Sequence, residues 1–174
     1  MKPSEFFQHC PRCGSPAAAP LERAPFDCAV CGFRYFFNPS VAVAVYIVRD
    51  DGQVLFIRRA REPAKDKLAP PGGFIDIGET AEEAARREVR EEVGLGLGAL
   101  TFLSSHPNAY HYREVTYPVL DLFFTARAVG AIEADSGEVA GLAWFDPAAV
   151  PLAEIAFPSM RAAWERWRTV VDSK

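Results

Sequence analysis

The sequence predicts an α/β protein in which a small metal-stabilised module precedes a larger domain built from a sheet and helices. Three observations support this prediction: the cysteines are confined to the N-terminal region, apolar runs follow residue 39, and one amphipathic helix is strongly signalled. The 174 residues are 49% hydrophobic and 24% charged, which excludes a disordered or low-complexity chain. A chain of this length accommodates one full domain together with a small module.

Charge and hydropathy narrow the class of function. The formal net charge of −4 argues against a protein whose main task is to bind the nucleic acid backbone. The longest apolar run, residues 41–48, is too short to span a bilayer, and the N-terminal residues lack the pattern of an export signal. We therefore expect a cytoplasmic protein with neither a membrane nor a nucleic acid as its partner.

The cysteines form two C-x-x-C pairs: Cys10 with Cys13, and Cys28 with Cys31. A C-x-x-C turn directs both thiolates at one point, and the glycine that follows each pair, Gly14 or Gly32, allows the positive φ that the turn needs. Four sulfurs complete a tetrahedral Zn²⁺ shell with no position left for water, so the pattern resembles a zinc ribbon. The alternatives are two disulfides or four unrelated thiols. Disulfides are disfavoured without an export signal, and unrelated thiols would not fall in two matched pairs.

These cysteines predict a zinc ribbon over residues 1–38, followed by a second domain over residues 39–174. Asn38-Pro39 marks the boundary, because proline disfavours regular structure at the residue before it. A module of about thirty residues buries little surface, so structural Zn²⁺ is expected to supply much of its folding free energy.

Beyond this boundary, β-branched and apolar runs predict four strands, over residues 41–49, 53–59, 100–104 and 115–129. Asp51-Gly52 predicts a hairpin turn between the first two strands, and Trp144-Phe145 ends a further short strand. An aromatic-rich loop is expected between residues 104 and 115. A terminal helix is predicted to begin at Pro158 and to carry one apolar stripe, formed by Met160, Trp164, Trp167 and Val171.

The clearest element is a helix over about residues 80–93. Thr80 and Glu83 form a capping box at its start, and Gly94 provides a C-terminal stop. Apolar residues at helical spacing predict the face that packs on the core: Ala81, Ala85, Val89 and Val93.

Three glutamates crowd the edge of this helix beside its apolar face: Glu88, Glu91 and Glu92. Each like-charge pair at this spacing costs an exposed helix about 0.2–0.5 kcal/mol, and Arg87 cannot neutralise all three. Carboxylate oxygens on a rigid edge suit Mg²⁺ or Mn²⁺, ions that also bind substrate phosphates. A solvated acidic face is the alternative that the helix by itself leaves open.

The helix and the residues before it resemble the signature of the Nudix hydrolases. That signature reads Gly, five residues, Glu, seven residues, and then Arg-Glu-aliphatic-x-Glu-Glu-x-Gly-aliphatic. Every fixed position is matched, by Gly73, Glu79, Arg87, Glu88, Val89, Glu91, Glu92, Gly94 and Leu95. The resemblance implies that residues 39–174 form a Nudix domain, an α/β/α sandwich with a mixed sheet.

The same resemblance implies a metal-dependent pyrophosphohydrolase. Its expected Mg²⁺ or Mn²⁺ ligands are the carboxylates of Glu88, Glu91 and Glu92, together with the carbonyl of Gly72. Arg87 is expected to orient the carboxylates, and Glu79 to support the loop through Arg87. The general base differs between members of this family, and the candidates here are Glu138 and Glu88.

The substrate is less closely specified. A zinc ribbon before a Nudix domain is similar to the NADH pyrophosphatases, which carry Ser-Gln-Pro-Trp-Pro-Phe-Pro-x-Ser after the signature. Here Ser105-His106-Pro107 is followed by Asn-Ala-Tyr-His, so that motif is incomplete. We expect a dinucleotide or nucleotide sugar such as ADP-ribose, FAD or NADH, cleaved to release a nucleoside monophosphate.

Four residues are candidates for binding such a substrate. Arg58 and Arg59 could attract its phosphates, and Tyr110 and Tyr112 could stack on a base or flavin ring. The alternatives are solvated surface arginines and tyrosines that pack a loop. At the level of the whole protein, a nucleotide-sensing or an RNA-end-processing protein with the Nudix fold is the alternative function. A homodimer through the ribbon or the terminal helix is left open.

Overall fold

The computed structural model describes residues 1–17, 25–132 and 139–171. The chain folds as two compact units. The first contains Met1–Ser40 and Ala109–Pro118, and the second contains Val41–Asn108 and Val119–Lys174. The segment 109–118 therefore belongs to the first unit, although it lies within the second predicted domain. The domain boundaries themselves stay a prediction.

The first unit is organised around a short hairpin and an aromatic cluster. Strands β1 (Phe26–Asp27) and β2 (Arg34–Tyr35) pair antiparallel, after a short 3-10 helix over Pro3–Phe6. The ring of Phe7 lies 4.7 Å from that of Phe37 and 5.1 Å from that of Tyr35. The N-terminal residue joins segment 109–118, because the Met1 carbonyl accepts a hydrogen bond of 2.8 Å from the Thr116 amide.

The second unit is built on a seven-stranded sheet. Its strands are β3 (Ser40–Val48), β4 (Val54–Arg59), β5 (Leu68–Ala69), β6 (Gly96–Leu97), β7 (Thr101–Tyr112), β8 (Val115–Val129) and β9 (Val139–Phe145). Their order is β5-β4-β3-β8-β6, with β7 beside β8 and β9 beside β4. The predicted aromatic loop after residue 104 is wrong, because β7 continues to Tyr112 along its partner β8. Pairing with a neighbouring strand outweighs the weak strand propensity of Pro107 and Asn108.

Strand β3 lies between two hydrophobic cores. Val43, Val45 and Ile47 pack on one face against helix α1 (Ala81–Val93). Ala44 and Tyr46 pack on the other face, against helix α2 (Pro158–Val171). Burial on both faces explains the continuous apolar run of this strand, since each large side chain buried in this way contributes about 1.5–3 kcal/mol. The predicted α/β/α sandwich is confirmed.

Both predicted ends of α1 and the predicted start of α2 at Pro158 are confirmed. The Thr80 hydroxyl accepts a hydrogen bond of 3.2 Å from the Glu83 amide, and the Glu83 carboxylate accepts one of 2.9 Å from the Thr80 amide. Gly94 ends α1 with a φ of +69°. In α2, Trp164 and Trp167 are buried, but Val171 is 46% exposed, so its predicted place in the apolar stripe is wrong. Val171 is the last helical residue, one turn beyond Trp167, where the core ends.

None of the helices in the described part of the chain has the length and hydrophobicity that a transmembrane span requires.

Candidate active site

The acidic edge of α1 combines buried and exposed carboxylates. Glu92 is buried, the side chain of Glu88 is 14% exposed, and that of Glu91 is 56% exposed. The first two lie one helical turn apart and contact the Gly72–Gly73 segment, whereas Glu91 borders solvent. Two nearly buried carboxylates on one helix need positive partners, because an isolated buried charge is strongly disfavoured.

A segment containing Gly72 and Gly73 lies against this edge and runs along β3. The Val45 amide donates to the Pro71 carbonyl at 2.9 Å, and the Val43 amide donates to the Gly73 carbonyl at 2.8 Å. The Gly72 amide in turn donates to Oε2 of Glu92 at 2.8 Å. The segment is therefore fixed to the strand on one side and to the buried glutamate on the other.

Both glycines are required by close approach. A Cβ atom at Gly72 would lie 2.1 Å from the Val43 carbonyl oxygen, and the φ of +152° favours glycine. A Cβ atom at Gly73 would lie 2.5 Å from the carboxylate of Glu88. The backbone of Gly73 thus approaches Glu88 so closely that no larger residue fits without displacing the carboxylate.

Arg87 connects the segment that precedes α1 to the acidic edge of the helix. Its Nε and Nη2 donate to the two oxygens of Glu79 at 2.7 and 2.8 Å. Its Nη1 donates to Glu88 at 2.8 Å and to Glu91 at 3.1 Å, and its Nη2 also donates to the Phe74 carbonyl at 3.1 Å. A planar guanidinium with five N–H donors can make all of these contacts at once.

These contacts shift the pKa of Glu79. The Arg87 guanidinium lowers the pKa of Glu79 to about 2, and a hydrogen bond of 3.0 Å from the Asp76 amide acts in the same direction. The Glu79 carboxylate also raises the pKa of Arg87 above its usual value. Glu79 is therefore ionised over the whole physiological range and holds Arg87 in place.

The site has more carboxylates than guanidinium groups. Four carboxylates accept hydrogen bonds from Arg87 or from the Gly72 amide, those of Glu79, Glu88, Glu91 and Glu92. A fifth, that of Asp76, lies 3.9 Å from Arg87. Carboxylate oxygens on a rigid helix, beside a loop carbonyl, are the donor set that Mg²⁺ and Mn²⁺ prefer. The Phe74 carbonyl and the Asp76 amide also support the site, and neither could be found from side-chain patterns.

The predicted phosphate-binding arginines hold nearby loops. Arg58 donates to the Asp66 carbonyl at 2.9 Å and pairs with Glu154 at 3.0 Å. Arg59 donates to the Pro63 carbonyl at 2.9 Å and lies 5.3 Å from the ring centre of Phe157. A role of Arg58 or Arg59 in substrate binding stays a prediction.

The remaining candidates belong to other segments of the chain. Tyr110 and Tyr112 belong to the first unit, near the end of β7, and Tyr112 is 44% exposed with the guanidinium of Arg113 5.4 Å from its ring centre. Their predicted stacking on a substrate ring stays a prediction. Glu138, one of the two candidate bases, lies outside the described residues.

The cysteines of the first unit form one cluster. Their Sγ atoms all lie within 4.8 Å of one another, and both Cys10–Cys31 and Cys13–Cys28 are 3.7 Å apart. Zn–S bonds of about 2.3 Å in a tetrahedron require Sγ–Sγ distances of about 3.8 Å, so the cluster fits Zn²⁺. All four cysteines are free of disulfides.

Local backbone and hydroxyl groups shape this cluster. Gly14 and Gly32 have φ values of +73° and +70°, as predicted for residues that follow C-x-x-C turns. Their amides each donate at 2.9 Å to the carbonyl of the first cysteine in the pair, Cys10 or Cys28. The pKa of Cys28 is lowered to about 6, and the hydrogen bond with the Ser15 hydroxyl makes the largest contribution to this shift. The thiolate, the form that binds metal, is therefore favoured at Cys28, whereas burial and the other three cysteines raise the pKa of Cys31 to about 12.

Comparison with known proteins shows to which family the larger part of the chain belongs. The family model described as the NUDIX domain matches residues 38–165. The chain is 46% identical over 63 residues to an ADP-ribose pyrophosphatase of Methanocaldococcus jannaschii, covering 36% of this chain and 37% of that protein. It is 25% identical over 150 residues to the NAD-capped RNA hydrolase NudC of Vibrio atlanticus, covering 85% of this chain and 52% of that protein.

A solved structure also shares the fold. A NUDIX hydrolase from Nitrosomonas europaea superposes with a TM-score of 0.69 at 21% identity, over 97% of this chain and 91% of that chain. The chain spans about half the length, or less, of the two curated relatives described above.

Proposed function

The chain belongs to the NUDIX family, and we propose that it hydrolyses the diphosphate bond of a nucleoside diphosphate linked to another moiety. The substrate is a dinucleotide or nucleotide sugar such as ADP-ribose, FAD or NADH, and the products are a nucleoside monophosphate and a phosphorylated second moiety. The observation that carries this proposal is the fixed contact of the Gly72–Gly73 segment with Glu88 and Glu92, at a helix edge rich in carboxylates.

The proposed ligands of Mg²⁺ or Mn²⁺ are the side chains of Glu88, Glu91 and Glu92 and the carbonyl of Gly72. The chemistry that a divalent cation held by these residues would supply is to offset charge on the diphosphate and to lower the pKa of the attacking water. Arg87 orients Glu88 and Glu91 through its Nη1 group, and Glu79 orients Arg87. These contacts fix the carboxylates before substrate arrives, so little reorganisation is needed during the reaction.

The general base is proposed to be Glu88 or Glu138. Glu88 lies within the carboxylate cluster, and its position is set by Arg87 and by the backbone of Gly73. Substitution of each by glutamine distinguishes them. Protonation of the general base makes kcat fall at low pH, so the variant that lacks the base loses this acid limb of the pH profile. Arg58, Arg59, Tyr110 and Tyr112 are retained as proposed substrate contacts.

The N-terminal residues 1–38 are proposed to form a structural zinc ribbon before a Nudix domain over residues 39–174. The support is the cysteine geometry, in which two Sγ–Sγ distances of 3.7 Å match the edges of a zinc tetrahedron. In that tetrahedron every ligand position is taken by a cysteine, which suits a structural site better than a catalytic one.

A second candidate function is removal of a nucleotide cap from RNA. It is favoured by the likeness to NudC, named as an NAD-capped RNA hydrolase, over 85% of this chain. Both candidates break a diphosphate bond that carries a nucleoside, so the same acidic edge serves either substrate. A capped RNA compared with the free dinucleotide at several salt concentrations separates them, since backbone contacts make binding salt-dependent.

The test is a substrate panel assayed with and without Mg²⁺ and Mn²⁺, on the wild type, Glu92→Gln and Glu82→Gln. Glu82 is an exposed residue of the same helix and provides the matched control. We expect turnover only with metal, and a loss of at least about 100-fold in kcat/KM for Glu92→Gln, since metal-ion catalysis supplies several kcal/mol. Equal turnover in Glu92→Gln and Glu82→Gln, with both variants folded, contradicts the proposal.

A further inference from the structure

Ser15 joins the two C-x-x-C pairs of the first unit. Its Oγ lies 3.1 Å from Sγ of Cys13 and 3.3 Å from Sγ of Cys28, and these two sulfurs belong to different pairs. Its carbonyl accepts a hydrogen bond of 2.8 Å from the Cys10 amide. One serine thus contacts three of the four cysteines, although it is not a metal ligand itself.

The position of Ser15 is set by backbone hydrogen bonds of its segment. The Cys10 amide binds its carbonyl, and two residues further on, the Ala17 amide donates to the Gln8 carbonyl at 2.9 Å. These bonds do not involve the side chain, so the hydroxyl is presented to the sulfurs by a fixed segment. A substitution of the side chain leaves the backbone contacts available.

The charge of the cluster gives this hydroxyl a role. Four thiolates around one Zn²⁺ carry two net negative charges, and hydrogen-bond donors around the ligands offset that charge. The Ser15 O–H lies at the edge between Cys13 and Cys28, whose sulfurs are 3.7 Å apart. Cys13 is exposed, whereas Cys10 and Cys28 are buried, so this edge includes the cysteine most open to solvent.

We infer that Ser15 is a positioning residue of the zinc site: its single O–H proton, donated to the thiolate of Cys13 or of Cys28, offsets ligand charge and raises the affinity of the cluster for Zn²⁺. The inference rests on the zinc ribbon proposed above. Loss of an outer hydrogen bond to a metal ligand typically lowers metal affinity about 10–100-fold, and a similar loss is expected here. Zinc should also be transferred faster to a competing chelator.

The experiment measures Zn²⁺ affinity of the full chain by competition with a chelating dye, and the absorption spectrum of the Co²⁺ form. Ser15→Ala removes the hydroxyl. Ser15→Thr and Ser15→Val form a nearly isosteric pair that differs in the hydroxyl, and Ser40→Ala is a control at an exposed serine of the same unit. Circular dichroism confirms that each variant is folded.

We expect Ser15→Ala and Ser15→Val to bind Zn²⁺ about 10–100-fold more weakly than the wild type, and Ser15→Thr to retain most of the affinity. Equal affinity in the Thr and Val variants overturns the inference, even if Ser15→Ala fails to fold. A wild-type chain that binds no Zn²⁺ and gives no thiolate–Co²⁺ charge-transfer band overturns the zinc ribbon itself. Zinc bound by the wild type with unchanged affinity in Ser15→Ala overturns only the role of Ser15.

Discussion

Arg87 binds Glu79 through two parallel hydrogen bonds, from Nε to Oε1 at 2.7 Å and from Nη2 to Oε2 at 2.8 Å. Arg87 is part of α1, whereas Glu79 lies in the loop before it, so this pair fixes the loop to the helix. The Nη1 group is then directed at Glu88 and Glu91. One guanidinium therefore sets the geometry of the loop and of two proposed metal ligands.

Replacement of Arg87 by lysine should reduce activity although the charge is kept. An ammonium group cannot make the two-point contact with Glu79 and also reach Glu88. We expect kcat/KM to fall about 10–100-fold, with a matching rise in the Mg²⁺ concentration needed for half-maximal rate. Arg90→Lys, at an exposed position of the same helix, should behave like the wild type. An unchanged Mg²⁺ dependence in Arg87→Lys contradicts this role.

A methyl group at Gly73 should damage the site more than the fold. The added Cβ would lie 2.5 Å from the Glu88 carboxylate, which is the movable end of a side chain, so the carboxylate is displaced. We expect a loss of at least about tenfold in kcat, with a cost in unfolding free energy of about 1–3 kcal/mol or less. Urea unfolding and steady-state kinetics measure the two effects.

Two other glycines provide the comparison for that variant. At Gly72 the added Cβ meets rigid backbone at 2.1 Å, so Gly72→Ala should be the more destabilising substitution. At Gly141 nothing lies within 4 Å of the added Cβ, and Gly141→Ala should leave activity and stability near those of the wild type. Full activity in Gly73→Ala is incompatible with the described contact.

Acid should remove the contribution of Glu79 to stability. Folding lowers the pKa of Glu79 to about 2 through Arg87, so the contribution is fully present above the unfolded pKa of about 4.3. It is lost progressively as the pH falls from there towards 2. The difference in unfolding free energy between the wild type and Glu79→Gln should therefore shrink as the pH is lowered from about 6 to about 3. A difference that is independent of pH argues against the pair.

Removal of zinc should open the first unit. Chelation takes away the ion that holds the four thiolates together, and a metal-dependent module loses its fold with its metal. Hydrogen exchange should show that the amides of Gly14 and Gly32 lose protection, while the amide of Gly72, bound to Glu92, keeps it. Retained protection at Gly14 and Gly32 after complete zinc removal means that the metal is not needed for this fold.

The sequence predicted the elements that depend on local signals. The capping box of Thr80 and Glu83 and the stop at Gly94 define α1, because both act within a few residues of the chain. The matched cysteine pairs predicted a cluster, because each C-x-x-C turn directs its two thiolates at one point without help from distant residues. The β-branched run over residues 41–49 predicted β3, because the strand preference of such residues is a local signal.

Contacts between distant segments were not predictable in this way. The extent of β7 is set by pairing with β8, and the engagement of Arg58 depends on Glu154, nearly a hundred positions away. The contact between Gly73 and Glu88 requires the loop to run along β3, which no local pattern specifies. Ser15 carried no signal at all, because a single serine after a C-x-x-C pair has many structural roles.

The central claim is that the acidic edge of α1 binds a divalent cation. The most direct measurement is Mn²⁺ binding followed by electron paramagnetic resonance, on the wild type, Glu92→Gln and the control Glu82→Gln. We expect the wild type and the control to bind Mn²⁺ alike, and Glu92→Gln to bind it at least about tenfold more weakly. Equal Mn²⁺ affinity in Glu92→Gln and the wild type would contradict the account.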